Sequence, residues 1–457
     1  MRKLPLLFLA VVVAGCAQTW LTTPDKSALL QKQSTALSFG LRTEGAAIEV
    51  DSTQTFQPID GFGFALTGGS AQHLIRMSAE ARVHILQELF GTGSGDIGIS
   101  YLRVSIGASD LNDHVFSYDD LPPGETDPQM AKFSLALDRA DVIPVLQQIL
   151  AINGKIKILG SPWSPPAWMK TNGNPKGGNL KPEYYSAYAT YFVKYIQGMK
   201  AEGIRIDAVT VQNEPLHPGN TPSLQMFAAD EAIFIRDHLG PALRAAHLDT
   251  KIIAFDHNCD TPEYPIAVLS DARAARFVDG SGFHLYRGKI EAMSEVHKAF
   301  PAKNLYFTEQ MVTGSVETRA TVNVGGPVAR LIIGATRNWS RNVLLWNLAA
   351  DPQNRPHTDS GGCTMCQGAI TIDGDTVSRN VAYYVVAHAS KFVRPGSVRI
   401  GTNGVDGLPN VAFRTPAGRI ALIVVNTGQT TRTFAIQWHG KAAQAELPAG
   451  AVATYVW

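Results

Sequence analysis

Two glutamates stand where apolar runs of strand length stop. Glu214 closes DAVTVQNEP, and Glu309 closes NLYFTEQ. A carboxyl at the polar end of a buried strand is partly desolvated, so its pKa can move, and two such groups can move apart. One protonated and one ionised carboxyl across a cleft is what glycoside hydrolysis requires. Other apolar runs also end in polar or aromatic residues: Ser109-Asp110, Ser161-Pro162-Trp163, Gln212-Asn213, Asp256-His257-Asn258, His284-Leu285-Tyr286 and Trp346-Asn347. Trp163, Trp168, Tyr286 and Trp346 are suited to stack on a sugar ring, although each alone is more often core. Arg103 lies inside a strand, where it pairs with a carboxylate at the same mouth or forms a structural ion pair. No H-x-H or H-E-x-x-H spacing is present, and Cys363-Thr364-Met365-Cys366 has no second CxxC, so neither a metal nor an organic cofactor is expected.

The elements that must position these residues alternate strand with helix. Eight strand candidates are centred near Phe62, Arg103, Leu159, Val209, Ile253, Phe283, Tyr306 and Leu344. Between them lie helical segments, clearest in SAEARVHILQELFG, LDRADVIPVLQQILAING, PEYYSAYATYFVKYIQGMKAEG and FAADEAIFIRDHLGPALRAAH. This rhythm predicts an α/β fold, a (β/α)8 TIM barrel, whose chemistry sits at the C-terminal strand ends. An open doubly wound sheet is the rival, but no Gly-rich phosphate turn follows any strand. Near Arg394 the pattern changes to short alternating strands, which read as an all-β sandwich joined by the N-terminal strand IEVDST. The expected division is 59–392 for the barrel and 393–457 for the sandwich, with 37–58 contributing strands to it.

The chain resembles glycoside hydrolase family 30, the glucosylceramidase and β-1,6-glucanase type of the retaining 4/7 clan. The matching stretches are IDGFGFALTGGSA, RVSIGASDL, SPWSPPAWMKTNG, VQNEP, HLY, FTEQ, WNLAAD, SKFVRPGS and LPAGAVATYVW, in the family's order. The resemblance implies a retaining β-glycoside hydrolase with Glu214 as acid/base and Glu309 as nucleophile. It implies further that Arg103, Asp110, Trp163, Asn213, His284, Tyr286 and Trp346 hold the terminal sugar. A glucosylceramidase-type activity on glucosylceramide or β-glucosides is the first expectation, and an endo- or exo-β-1,6-glucanase the alternative. A non-catalytic glycan-binding lipoprotein would keep the aromatics and lose a carboxylate, and both carboxylates are present. Leu285 departs from members with an aromatic there, and the Cys363/Cys366 loop is absent from animal glucosylceramidases. Both departures bear on the aglycone side.

Net charge is +1, from 40 basic and 39 acidic residues. No field of one sign exists to attract nucleic acid, and a neutral carbohydrate or glycolipid is the expected partner. Arg2 and Lys3 precede a short apolar run ending in Val13-Ala14-Gly15-Cys16, which resembles a bacterial lipobox. Residues 1–15 are thus expected to be a signal peptide and Cys16 the lipidated N-terminus of an exported, membrane-anchored protein, with 16–36 as a tether. Cys363 and Cys366 are expected to form a loop disulfide or two free thiols, and Cys259 to be a buried single thiol.

Overall fold

The computed structural model describes residues 15–41 and 45–457; apart from Gly15, the expected signal segment lies outside them. All eight expected barrel strands form: β1 (Gly61–Leu66), β2 (Tyr101–Ile106), β3 (Lys157–Pro162), β4 (Ala208–Thr210), β5 (Lys251–Cys259), β6 (Val278–Gly288), β7 (Asn304–Glu309) and β8 (Ser340–Asn347). They pair in parallel, and β8 returns to β1 to close the barrel. Closure brings backbones close together. At Gly63 of β1, a Cβ would sit 1.9 Å from the Tyr101 carbonyl oxygen of β2, so only glycine fits. The helical periodicities become Ala79–Phe90, Val142–Ile152, Tyr185–Ala201, and a run from Ala228–Phe234 that continues to Gly240–Ala245.

The barrel interior is layered. Tyr101, Leu159, Ala208, Ile253, Tyr306 and Leu344 form one apolar cluster. Because side chains alternate along a strand, the next inward residue lies two further on. That step reaches Arg103, Ser161, Thr210, Thr308 and Trp346, so the floor is apolar and the next layer, Trp346 apart, is polar.

The second domain is built from both chain ends. Ala47–Pro58 pairs antiparallel with Val398–Thr402 and parallel with Arg432–Trp438 in a ten-stranded sheet. Residues 16–36, expected to be a tether, are part of this domain instead. Cys16–Thr22 pairs antiparallel with Val452–Val456 and with the short strands Gln31–Lys32 and Leu37–Ser38. Ala17 and Thr22 are buried while Cys16 is exposed. The segment is too short and weakly apolar to announce itself, and its place comes from a partner more than 400 residues away. The continuous apolar run Ile420–Val425 has no polar face because the sheet is covered on both sides. Leu422 and Val424 face the sandwich core, while Ala421, Ile423 and Val425 join the barrel core. Buried His388, on the helix Val381–Ser390, bonds Thr454 (3.0 Å) and Thr22 (2.8 Å), tying the barrel to both ends of the chain.

Candidate active site

Glu214 and Glu309 face each other across the barrel mouth, with one oxygen of each within 4.8 Å of the other. That proximity matches the roughly 5–5.5 Å carboxyl spacing of retaining enzymes and not the roughly 6.5–9.5 Å of inverting ones. His284 Nδ1 lies between them, 3.3 Å from Glu214 Oε1 and 3.8 Å from Glu309 Oε1. Tyr286 Oη donates to Glu309 Oε1 at 3.0 Å and itself accepts the Met311 N–H. Arg103 Nη1 donates to Glu309 Oε2. Both oxygens of Glu309 are therefore occupied as acceptors.

The fully buried Arg103 organises this cluster. Its Nη2 donates to Asn213 Oδ1 (2.6 Å) and Asp256 Oδ2 (2.8 Å), and its Nε to Ser161 Oγ (3.1 Å). With Oδ1 committed to Arg103, the Asn213 amide keeps its NH2 for the cleft. The guanidinium also lies 4.8 Å from the Trp163 ring, which stacks on Trp346 at 5.3 Å. The two indoles form one wall of a cleft of about 280 Å³. Trp163 Nε1 is buried without a hydrogen-bond partner in the protein.

Asp256 lies beneath, a residue sequence reasoning placed at a strand end but left out of the site. It is fully buried, and it accepts from Arg103, Ser161 (3.2 Å), Thr210 (2.8 Å), Thr308 (2.6 Å) and His284 Nε2 (3.0 Å). Burial raises its pKa, but Arg103, His284 and Thr308 outweigh that and hold it far below the usual carboxylate range. Burial lowers His284, yet Glu309, Asp256 and Glu214 lift it to about 9. It is thus an imidazolium near neutral pH, able to donate from both nitrogens. Burial raises Glu214, and His284 more than offsets this. Burial lifts Glu309 above the ordinary glutamate range despite His284 and Arg103. The donors Arg103 and Tyr286 on its two oxygens favour the ionised form of Glu309 against this burial. Burial together with Glu309 and Glu214 pushes Asp110 to about 7.

The positions implied by the family resemblance converge here: Asp110, Trp163, Asn213, Tyr286 and Trp346 line the cleft with both glutamates, and Arg103 and His284 support them. Trp168 does not join them. Its indole donates to the Asp119 carbonyl (3.0 Å), packs edge-on to Tyr184 and does not line the cleft, so it is not placed to stack on a sugar there. Glu214, His284 and Glu309 are close enough together to hold a cation, but Arg103 and the imidazolium already supply positive charge there. The backbone is strained where the chemistry gathers: φ is +46° at Glu214, +77° at Phe255 and +61° at Asp256. Such conformations cost about 1–3 kcal/mol each and collect at functional sites.

The profile of the glycosyl hydrolase family 30 TIM-barrel domain matches residues 59–393, and that of the family's β-sandwich domain matches 396–455. The chain belongs to this family. An endo-1,6-β-D-glucanase of Trichoderma harzianum is 34% identical over 440 residues, covering 91% of this chain and 87% of that one. The lysosomal acid glucosylceramidase of Mus musculus is 29% identical, covering 84% and 77%. Among solved structures, the endo-β1,6-glucanase BT3312 superposes with a TM-score of 0.89 at 33% identity, covering 97% and 99%. Family membership and carboxylate spacing agree: this is a retaining β-glycosidase. Its Cys363–Cys366 disulfide lines the cleft, and Cys259 is a buried free thiol.

Proposed function

We propose that this family 30 enzyme is an endo-β-1,6-glucanase. Its endo-1,6-β-glucanase relatives are 33–35% identical to it and its glucosylceramidase relatives 28–29%. The observation that carries the reading is this higher identity, and the cleft lining is compatible with it: alongside Leu216, Met311 and the Cys363–Cys366 disulfide it presents several hydrogen-bonding side chains besides the sugar-site residues. These are His217, Asn220, Asn258, Asp260 and Arg287. Hydrogen-bonding groups of this kind suit a second sugar.

In the first step Glu309 attacks the anomeric carbon while Glu214 protonates the departing oxygen. The covalent glycosyl-enzyme is then released by water that Glu214 deprotonates, with configuration retained. The free NH2 of Asn213 bonds the sugar 2-hydroxyl. Parallel digestion of β-1,6-glucan, β-1,3-glucan and glucosylceramide tests the substrate. β-1,6-Glucan should be cut fastest and to oligosaccharides, and faster turnover of glucosylceramide would overturn the reading.

We also propose export and lipid anchoring at Cys16. The support is the Val13-Ala14-Gly15-Cys16 sequence and the exposure of Cys16 at the edge of the sandwich. With residues 16–36 folded into that sandwich, the anchored enzyme would lie against the membrane without a spacer. Fatty-acid labelling that persists in Cys16→Ser would refute the anchor.

A further inference from the structure

Four barrel strands build the polar layer two residues beyond the apolar one, with Trp346 of β8 at the same level. By the same step Phe255 should follow Ile253 inward on β5. Asp256 takes that place instead, because β5 carries one extra residue. Gly282 of β6 pairs with Phe255 and Phe283 with His257, leaving Asp256 in a bulge. Without the bulge, every later side chain of β5 would change face. Phe255 would enter the polar layer, and Asp256 would turn outward, where Tyr264 and Phe283 now pack on Phe255.

The bulge is strained at both Phe255 and Asp256, so something must hold it. Two bonds do. The Asp256 carbonyl accepts the Glu214 N–H at 3.0 Å, bracing the acid/base. The Phe255 N–H, freed from regular strand pairing, donates to Glu231 Oε1 at 3.1 Å. Glu231 comes from the helix after β4 and is 1% exposed. Its second oxygen has no donor in hydrogen-bond geometry, the nearby Tyr264 hydroxyl being turned to the Met226 carbonyl. Buried Glu231 thus accepts its backbone hydrogen bond from a strained residue of the bulge.

We propose that Glu231 is a positioning residue for the double displacement: it latches the β5 bulge that turns Asp256 onto Arg103 and His284 and holds the Glu214 backbone. The inference rests on the retaining-glycosidase reading and is independent of which glucan is cut. Glu231 touches no substrate, so its effect runs through Asp256.

The test compares Glu231→Gln with Glu231→Met on a chromogenic β-glucoside, counting competent sites by trapping with a 2-fluoro-glucosyl fluoride. Gln keeps the acceptor and should retain more than half the wild-type kcat. Met leaves the Phe255 N–H without a partner. It should lose at least thirtyfold in kcat per trapped site, with KM within threefold, and its alkaline pH limb should move down. A purely structural role would lower the number of competent sites and leave kcat per site and the pH limb unchanged, which overturns the proposal. So would a Gln variant as impaired as Met. Should Met yield no folded protein, Glu231→Asp carries the test: the shortened acid should lose at least tenfold in kcat per site, and a loss under threefold is contrary. The wild type run beside them tests the glycosidase assignment separately, since it must be trapped and turn over whatever the variants do.

Discussion

Replacing Asp256 with Asn preserves shape and removes one charge, and the consequence can be followed atom by atom. Asp256 accepts on both oxygens, from Arg103, Thr210 and Ser161 on one and from His284 and Thr308 on the other. An amide must turn its NH2 to one of these sides. Arg103 has no acceptor, so the NH2 faces His284 and Thr308. The hydroxyl can rotate, but His284 must give up its Nε2 proton. The site then loses the positive charge 3.8 Å from Glu309 and 3.3 Å from Glu214. At an effective dielectric of about 20, a unit charge near 4 Å contributes about 4 kcal/mol. Solvent, Arg103 and the simultaneous loss of the Asp256 negative charge offset part of that, so we expect a loss of about 1.4–2.7 kcal/mol, or about 10–10² in kcat. The assay is kcat and its pH profile on a chromogenic β-glucoside, normalised to trapped sites. The wild-type alkaline limb, near 9 through His284, should fall toward neutrality in Asp256→Asn. A variant within tenfold of wild type whose limb stays near 9 would refute the reasoning.

Three further outcomes are expected. Tyr286→Phe removes one donor from ionised Glu309, which costs about 1.5–3 kcal/mol and should lower kcat by about 10–100-fold, read by steady-state kinetics. His284 is raised from 6.5 to about 9 in the folded protein, so its stabilising contribution is full below 6.5 and is lost as pH rises through about 9. Chemical denaturation at pH 6, 8 and 10 should show midpoints falling above pH 8, and a midpoint that rises there contradicts the assignment. Glu214→Ala should still form the covalent intermediate from a substrate with an activated leaving group but release it slowly. Added azide should restore turnover and give the β-glycosyl azide; an α-azide or no rescue would remove Glu214 from the acid/base role.

The barrel strands were legible because each is an apolar run ending in a polar or aromatic residue, and the fold turns those endings toward one mouth. Glu214, Glu309 and the residues around the sugar followed from the same pattern together with the family motifs. Asp256 was visible only as a strand end. Its central place depends on a one-residue bulge that breaks the alternation by which strands are read. Glu231 carries no signal at all, since an acidic residue in the first turn of a helix is ordinary on dipole grounds. Trp168 was over-read because sequence places an indole near the mouth without saying which way it faces. The 16–36 segment was under-read because its pairing partner is the other end of the chain. The CxxC spacing left a disulfide and two thiols equally open, and the loop fold settles it with Cα atoms 5.5 Å apart.

The central claim is that one carboxylate, Glu309, forms the bond to the sugar. Incubation with a 2-fluoro-glucosyl fluoride, followed by intact mass and peptide mapping, addresses it directly. One fluoroglucosyl group per chain, attached to Glu309 within the Asn304–Glu309 strand, is the predicted result. A label on Glu214 or any other residue would contradict the account, as would complete turnover of the probe to an α-configured product with no adduct.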